Sequence, residues 1–179
     1  MTDQQLIALV LAGEPRAERE FYDRHVDKVY RLAFRLSGDA TLAQDFTQEA
    51  FVRAFERLPQ YRGEAALQTW ICAICVSVSL NGLRTRSTRG KRETGYEEAR
   101  TFADSRREAE PDLKERMQAA IASLSDGYRT VFLMHDLEGF THDEIGATLD
   151  IPQGTSKARL FHARRKLRVA LAEFEGEWA

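Results

Sequence analysis

At 179 residues the chain is long enough for one compact domain or for two small ones that each just bury a core of their own. Its 43% hydrophobic and 30% charged residues are ordinary for a globular protein, and no apolar run approaches the roughly 18 residues of a membrane span, which excludes a helical membrane protein. A formal net charge of -2 argues against a protein that coats nucleic acid indiscriminately.

Along the chain, the first residues (Met1 to Glu18) hold an apolar patch but no basic segment before it and no small-residue cleavage site, so no secretory signal is expected and the protein reads as cytoplasmic. Apolar residues then recur at helical spacing nearly everywhere, without the sustained alternation of a half-buried strand, which predicts an all-α fold. From Ala17 to Leu36 the stripe is Phe21, Val29, Ala33 and Leu36, with Gly38 as a stop and Asp39 or Thr41 as the next cap. The following helix, 42–58, puts Leu42, Phe46, Ala50, Phe51, Ala54, Phe55 and Leu58 on one side and Asp45, Gln48, Glu49, Arg53 and Glu56 on another; Pro59 ends it. After the turn-like stretch Tyr61, Arg62, Gly63, Glu64, a third helix runs from Leu67 through Trp70, Ile71, Ile74 and Val78 to Leu83, with Trp70 assigned to packing.

A basic cluster follows: Arg84, Arg86, Arg89, Lys91 and Arg92. Residues 93–112 are acidic and poor in large apolar side chains, and read as a flexible linker between domains spanning 1–92 and 113–179. The helical pattern resumes with Met117, Ile121 and Leu124, then Val131, Phe132 and Leu137, then Ile145 and Leu149. Thr141 and Glu144 form a capping box, Asp150 suits a left-handed turn, and Pro152 suits the first turn of a further helix. That last helix has no acidic residue between Ile151 and Ala172 but carries Lys157, Arg159, Arg164, Arg165, Lys166 and Arg168. Helix, short turn and basic helix make a helix-turn-helix, whose second helix reads base edges in a major groove. An ordinary αα-hairpin has the same outline, and the one-sided charge favours DNA.

Several blocks then converge on one family. The stretch from Leu124 to Leu133, the stretch from Leu137 to Ile145, and Gly154 to Leu160 resemble region 4 of extracytoplasmic-function sigma factors. Asp45 to Phe51 is similar to region 2.2, and Tyr61 to Glu64 through Thr69 to Ile71 is similar to region 2.3 leading into region 2.4. The blocks, in order and with the linker between them, cover nearly the whole chain.

The resemblance implies two small helical domains and a promoter-specificity subunit of RNA polymerase. In region 2 it implies docking of Asp45, Gln48, Glu49, Arg53 and Glu56 on the clamp coiled coil of the polymerase β′ subunit. It implies contacts to the -10 element from Tyr61, Arg62, Gly63, Glu64, Gln68, Ser77, Arg84 and Arg86. For the -35 element it places Lys157, Ala158 and Phe161 near base edges and Thr155, Arg159, Arg164 and Arg165 near phosphates, with Leu160 and Leu167 facing the core. The implied partners are core polymerase, through the β′ clamp and the β flap, together with promoter DNA and an anti-sigma factor, with no membrane insertion.

Some positions depart from the family pattern. Ser77 stands where Asn is common, Ala158 where Ser is common, Gln44 where an acid is common, and Thr47 where an aliphatic residue is usual. Phosphorylation of Thr47 would add negative charge beside the polymerase-binding face; the plainer reading is a surface threonine. Cys72 and Cys75 form a C-x-x-C without a second pair of ligands, and read as buried thiols rather than a zinc or redox site. No metal, cofactor or catalytic constellation is expected. A stand-alone dimeric regulator is the competing function, and it leaves the Asp45 to Phe51 and Tyr61 to Trp70 blocks without a purpose.

Overall fold

The computed structural model describes the backbone of residues 1–94 and 113–172, and the side chains of 1–88 and 114–172. The chain divides into two compact units, Met1–Glu98 and Ala99–Ala179. Every regular element among the described residues is helical. The expected linker lies outside those residues apart from its first two positions, and the acidic tail 173–179 lies outside them as well.

Among the described residues the first unit holds four α-helices, α1 (Asp3–Leu11), α2 (Pro15–Ser37), α3 (Ala40–Arg57) and α4 (Leu67–Thr94), with a 3-10 turn (Leu58–Gln60) after α3. Helix α1 goes beyond the sequence reading, which saw only an apolar patch. It starts at a Thr2/Gln5 capping box, satisfying backbone donors at both ends of the motif, and it buries Leu6 and Val10. Gly38 ends α2 in the left-handed conformation, and the Asp39 carboxylate caps α3 by accepting from the Leu42 N–H at 2.8 Å.

Helix α3 is strongly two-faced. Ala43, Phe46, Thr47, Ala50, Phe51 and Ala54 are buried at alternating three- and one-residue steps. Phe51 meets Phe21 of α2 edge-on at 6.4 Å, and Phe55 reaches the same ring at 5.2 Å. Helix α4 is different. Leu67, Ile71, Cys72, Ile74, Cys75, Val76, Val78, Ser79 and Leu83 are all buried, so most of its circumference is covered and no single stripe marks it. It also continues eleven residues beyond the expected end at Leu83, carrying the basic cluster on helical backbone to Thr94.

The second unit contains α5 (Leu113–Ser123), α6 (Asp126–Phe132), a π-helical turn (Leu133–Leu137), α7 (His142–Leu149) and α8 (Gln153–Ala170). Its core is Leu124, Val131, Leu133, Met134, Phe140, Ile145, Leu160, Ala163 and Leu167. Full burial of a side chain of this size is worth about 1.5–3 kcal/mol, so these few residues carry the unit. Met117, expected on the core stripe of α5, is 38% exposed.

The turn between α7 and α8 is tight. Asp150 takes the left-handed conformation (φ 53°), as its position in the sequence suggests, and the Ile151 N–H donates to the Gly146 carbonyl at 3.1 Å. Pro152 sits one place earlier than expected, as the residue before the first turn of α8. A Cβ on Gly146 would lie 2.9 Å from the Ile151 carbonyl oxygen, a backbone atom held by the turn itself. Alanine gains about 1 kcal/mol over glycine in a helix interior, which overpacking against backbone outweighs. Gly146→Ala is therefore expected to destabilise the second unit by about 1–2 kcal/mol net, read as a lower midpoint for one of the transitions in a calorimetric scan of the full chain.

Candidate nucleic-acid interface

Helix α8 has the strongest division of labour in the second unit. Ser156, Leu160, Ala163 and Leu167, three or four residues apart, are buried. This seats Leu160 and Leu167 in the core as predicted and leaves Lys157, Ala158, Phe161, Arg164, Arg165, Lys166 and Arg168 exposed. Thr155 and Arg159 are half-buried, and the Arg159 guanidinium packs within 3.6 Å of the position a Cβ would occupy at Gly127 on α6. Phe161 is 65% exposed in the middle of this cationic face.

Beside that face lies a groove of 390 Å³ lined by His142 of α7 and by Lys157, Leu160, Phe161, Arg164, Arg165 and Arg168 of α8. The capping box that starts α7 is complete: Thr141 Oγ1 accepts from the Glu144 N–H at 3.2 Å, and Glu144 Oε2 accepts from the Thr141 N–H at 2.7 Å. The His142 ring meets the buried Ser156 hydroxyl, Nδ1 to Oγ, at 2.9 Å, pinning the start of α7 to the first turn of α8.

Arg164 differs from its neighbours. Its Nε and Nη2 donate to the two oxygens of Asp136 at 2.9 and 2.6 Å, the bidentate geometry of a strong charge-assisted pair. The π-helical turn holds Asp136 in reach of α8, and no motif announced this pairing across 28 residues of sequence. The Arg164 guanidinium draws the Asp136 carboxyl below its ordinary range, outweighing the opposing effect of burial, with a smaller contribution from His135.

In the first unit, the predicted -10 residues fall into two groups. Arg62, Gly63, Glu64, Arg84 and Arg86 are exposed. Tyr61 is half-buried, its hydroxyl donating to the Ala65 carbonyl at 2.6 Å, and its ring lies 5.2 Å from that of Trp70. Trp70 is thus partly exposed beside the loop rather than in the core. Gln68 is committed inside the domain: Oε1 lies 2.8 Å from Nδ1 of the buried His25, and Nε2 donates to Cys72 Sγ at 3.2 Å. Ser77 Oγ donates to its own helix at the Ala73 carbonyl. Both cysteines are buried, as predicted. The side chains of Arg89, Lys91 and Arg92 lie outside the described residues.

On α3, Asp45, Gln48, Glu49 and Glu56 are exposed and Arg53 is half-buried, its Nε donating to Glu49 at 2.8 Å. The sequence reading missed Val52, 53% exposed in the centre of this stripe; its spacing from Gln48, Glu49 and Glu56 is the signal that finds it. Thr47 corrects the reading as a surface residue. It is 4% exposed and its hydroxyl donates to the Ala43 carbonyl at 2.6 Å, so a phosphate there would have to be buried among apolar side chains.

Comparison with known proteins bears on both units. The family model for Sigma-70 region 2 matches residues 21–89, and that for Sigma-70, region 4 matches residues 114–167. The ECF RNA polymerase sigma-E factor of Escherichia coli K12 is 30% identical over 180 residues, covering 93% of this chain and 93% of that protein. The ECF RNA polymerase sigma factor SigE of Mycolicibacterium smegmatis is 34% identical over 89% of this chain, which spans 63% of that longer relative. The solved structure of the sigma factor RpoE in complex with the anti-sigma factor NepR from Bartonella quintana has a similar fold, with TM-score 0.71 at 19% identity, covering 86% of this chain and 96% of that one.

The Asp136–Arg164 pair makes a pH-dependent contribution of definite sign. Because the folded-state carboxyl titrates below its ordinary value of 3.8, the stabilisation is present at neutral pH and is lost as pH falls through the folded-state value. The Arg164 side chain is 53% exposed, so solvent screening holds the pair to about 0.5–1 kcal/mol. Denaturant unfolding of wild type and Asp136→Asn should differ by that amount at pH 7 and converge once the pH falls below the folded-state value.

Proposed function

We propose, for a chain that belongs to the extracytoplasmic-function sigma factors, how its two helical units divide the work of directing RNA polymerase to specific promoters. The domains are the region 2 unit, 1–92, and the region 4 unit, 113–179, with 93–112 as the tether. Two modules on a flexible tether each raise the effective concentration of the other at DNA, so neither needs to bind tightly alone.

The stripe Asp45, Gln48, Glu49, Val52, Arg53 and Glu56 on α3 docks on the clamp coiled coil of the polymerase β′ subunit. The exposed Val52 supplies apolar contact area, and the surrounding charges supply register and on-rate. The loop from Tyr61 to Glu64 and the exposed start of α4 hold unstacked bases of the -10 element. There Tyr61 and Trp70 offer aromatic surface, while Gln68 holds the floor of the pocket through His25 and Cys72 rather than touching a base. Arg84 and Arg86 bind phosphates of the melting duplex.

In region 4, Lys157, Ala158 and Phe161 face base edges of the -35 element. Thr155, Arg159, Arg164 and Arg165 lie along phosphates, with Arg164 oriented by Asp136. Region 4 also contacts the β flap. The protein acts in the cytoplasm, where polymerase is, and contributes binding energy rather than chemistry. An anti-sigma factor that covers the polymerase-binding surfaces is the matching regulator; the RpoE neighbour is itself a complex with one.

The observation that carries this reading is the pair of exposed stripes, acidic with one apolar residue on α3 and basic with one aromatic residue on α8. The test uses sigma-free core polymerase. With wild-type protein, specific transcripts sharing an upstream element are expected from genomic fragments. Glu49→Lys should cut core binding at least about tenfold, as like charge faces like charge across an interface, while leaving the thermal midpoint near wild type. Lys157→Ala should retain core binding but lose transcripts and relax specificity at the -35 element, whereas Arg165→Ala should lower the salt slope of DNA binding by about one. Absence of core binding by the wild type would favour the stand-alone regulator.

A further inference from the structure

One cluster in the second unit is left over once the expected contacts are assigned. The rings of His135, on the π-helical turn, and His142, the first residue of α7, stack at a centroid distance of 4.6 Å with 28° between their planes. They are differently partnered. His135 Nδ1 lies 2.8 Å from Asp136, a carboxylate shared with Arg164, whereas His142 Nδ1 meets the neutral hydroxyl of Ser156. His142 also lines the cationic groove on α8, and His135 does not.

We propose that His142 is a proton-coupled phosphate contact of the region 4 domain, neutral in the free protein and protonated when a DNA backbone phosphate enters the groove between α7 and α8. The proposal rests on the reading of α8 as the -35 helix and adds a ligand-binding residue that the sequence motifs did not mark.

The charges around the ring set the direction. His135, Lys157, Arg164 and Asp143 act directly on the ring; Arg165 and Arg168 of α8 line the same groove, Asp136 lies beside His135, and Glu144 shares the first turn of α7. Asp136 is occupied by Arg164, and Glu144 by the capping box. Burial first, and then His135, Lys157 and Arg164, hold His142 below the ordinary histidine range, with Asp143 opposing. A phosphate placed among these cations supplies the missing negative charge, and the imidazolium then gains what the neutral ring lacks. The hydrogen bond does not oppose the change. The Ser156 hydroxyl can donate to Nδ1 of the neutral ring and, by rotating, accept from Nδ1–H of the charged one, so α7 stays pinned to α8 in both states. The proton comes from solvent and returns there on release.

Linkage gives the sign: if DNA raises the proton affinity of His142, protons raise the affinity for DNA, so binding tightens as pH falls through the neutral range. The experiment measures anisotropy of a labelled 30-base-pair duplex with the full chain at low salt, from pH 8 to pH 6. Wild type should bind about five- to tenfold more tightly at pH 6 than at pH 8, within the limit of tenfold per pH unit for one proton. His142→Gln, which can still bond to Ser156, should lose most of that slope. His162→Gln, on the exposed side of α8 beside Tyr128, should keep it. Imidazole NMR should show the His142 titration midpoint moving upward when the duplex is added. A slope that survives in His142→Gln, or a midpoint that DNA leaves in place, overturns the proposal while the DNA-binding reading stands. Failure of wild type to bind the duplex at any pH overturns that reading and the proposal together.

Discussion

The second unit depends on the burial of one narrow stripe of α8. Ser156, Leu160, Ala163 and Leu167 are the only α8 side chains fully taken into the core, and they fix the rotation of the helix about its own axis. Once that rotation is fixed, Lys157, Phe161, Arg165 and Arg168 have no choice of direction. The hydroxyl of Ser156 adds a polar lock to the apolar stripe through His142, and the Asp136–Arg164 pair adds a second at the other end of the contact. Recognition chemistry on the outer face is thus a by-product of packing on the inner one.

The same logic governs α3, with opposite charge. Its inner stripe is built from alanines and phenylalanines that seat against α2 and α4, and its outer stripe is acidic around Val52. The proposed function gives the two outward faces different partners: a protein helix for the acidic one and a nucleic acid backbone for the basic one. A chain with near-neutral net charge can therefore bind DNA, because what acts is the local field and not the sum.

Much of this was legible in the sequence because it is local. The Thr141/Glu144 box, the left-handed Asp150, the stop at Gly38 and the apolar stripes of α2 and α3 each depend on residues within a few positions, and each appears where expected. The family blocks extended that reading to whole domains. What escaped depends on residues far apart in sequence. The π-helical turn carries Asp136, which pairs with Arg164 28 positions away, and the half-buried Gln68 meets His25, 43 positions away. Helix α4 hid its length because Arg84 to Thr88 are exposed and polar, so no apolar stripe marks the helix beyond Leu83. Thr47 misled because a buried hydroxyl that bonds to its own helix looks, in sequence, like a surface one. Helix α1 was the avoidable miss, since Thr2 and Gln5 carry the same capping signature that was recognised at Thr141.

The central claim is that the outer face of α8 meets DNA upstream of the start site within the polymerase complex. The direct measurement replaces Phe161, exposed at the centre of that face, with a photoreactive benzoylphenylalanine and irradiates the initiation complex formed with core polymerase. The account predicts a crosslink from position 161 to bases of the -35 element. A complex that still initiates transcription but crosslinks position 161 only to protein would contradict it.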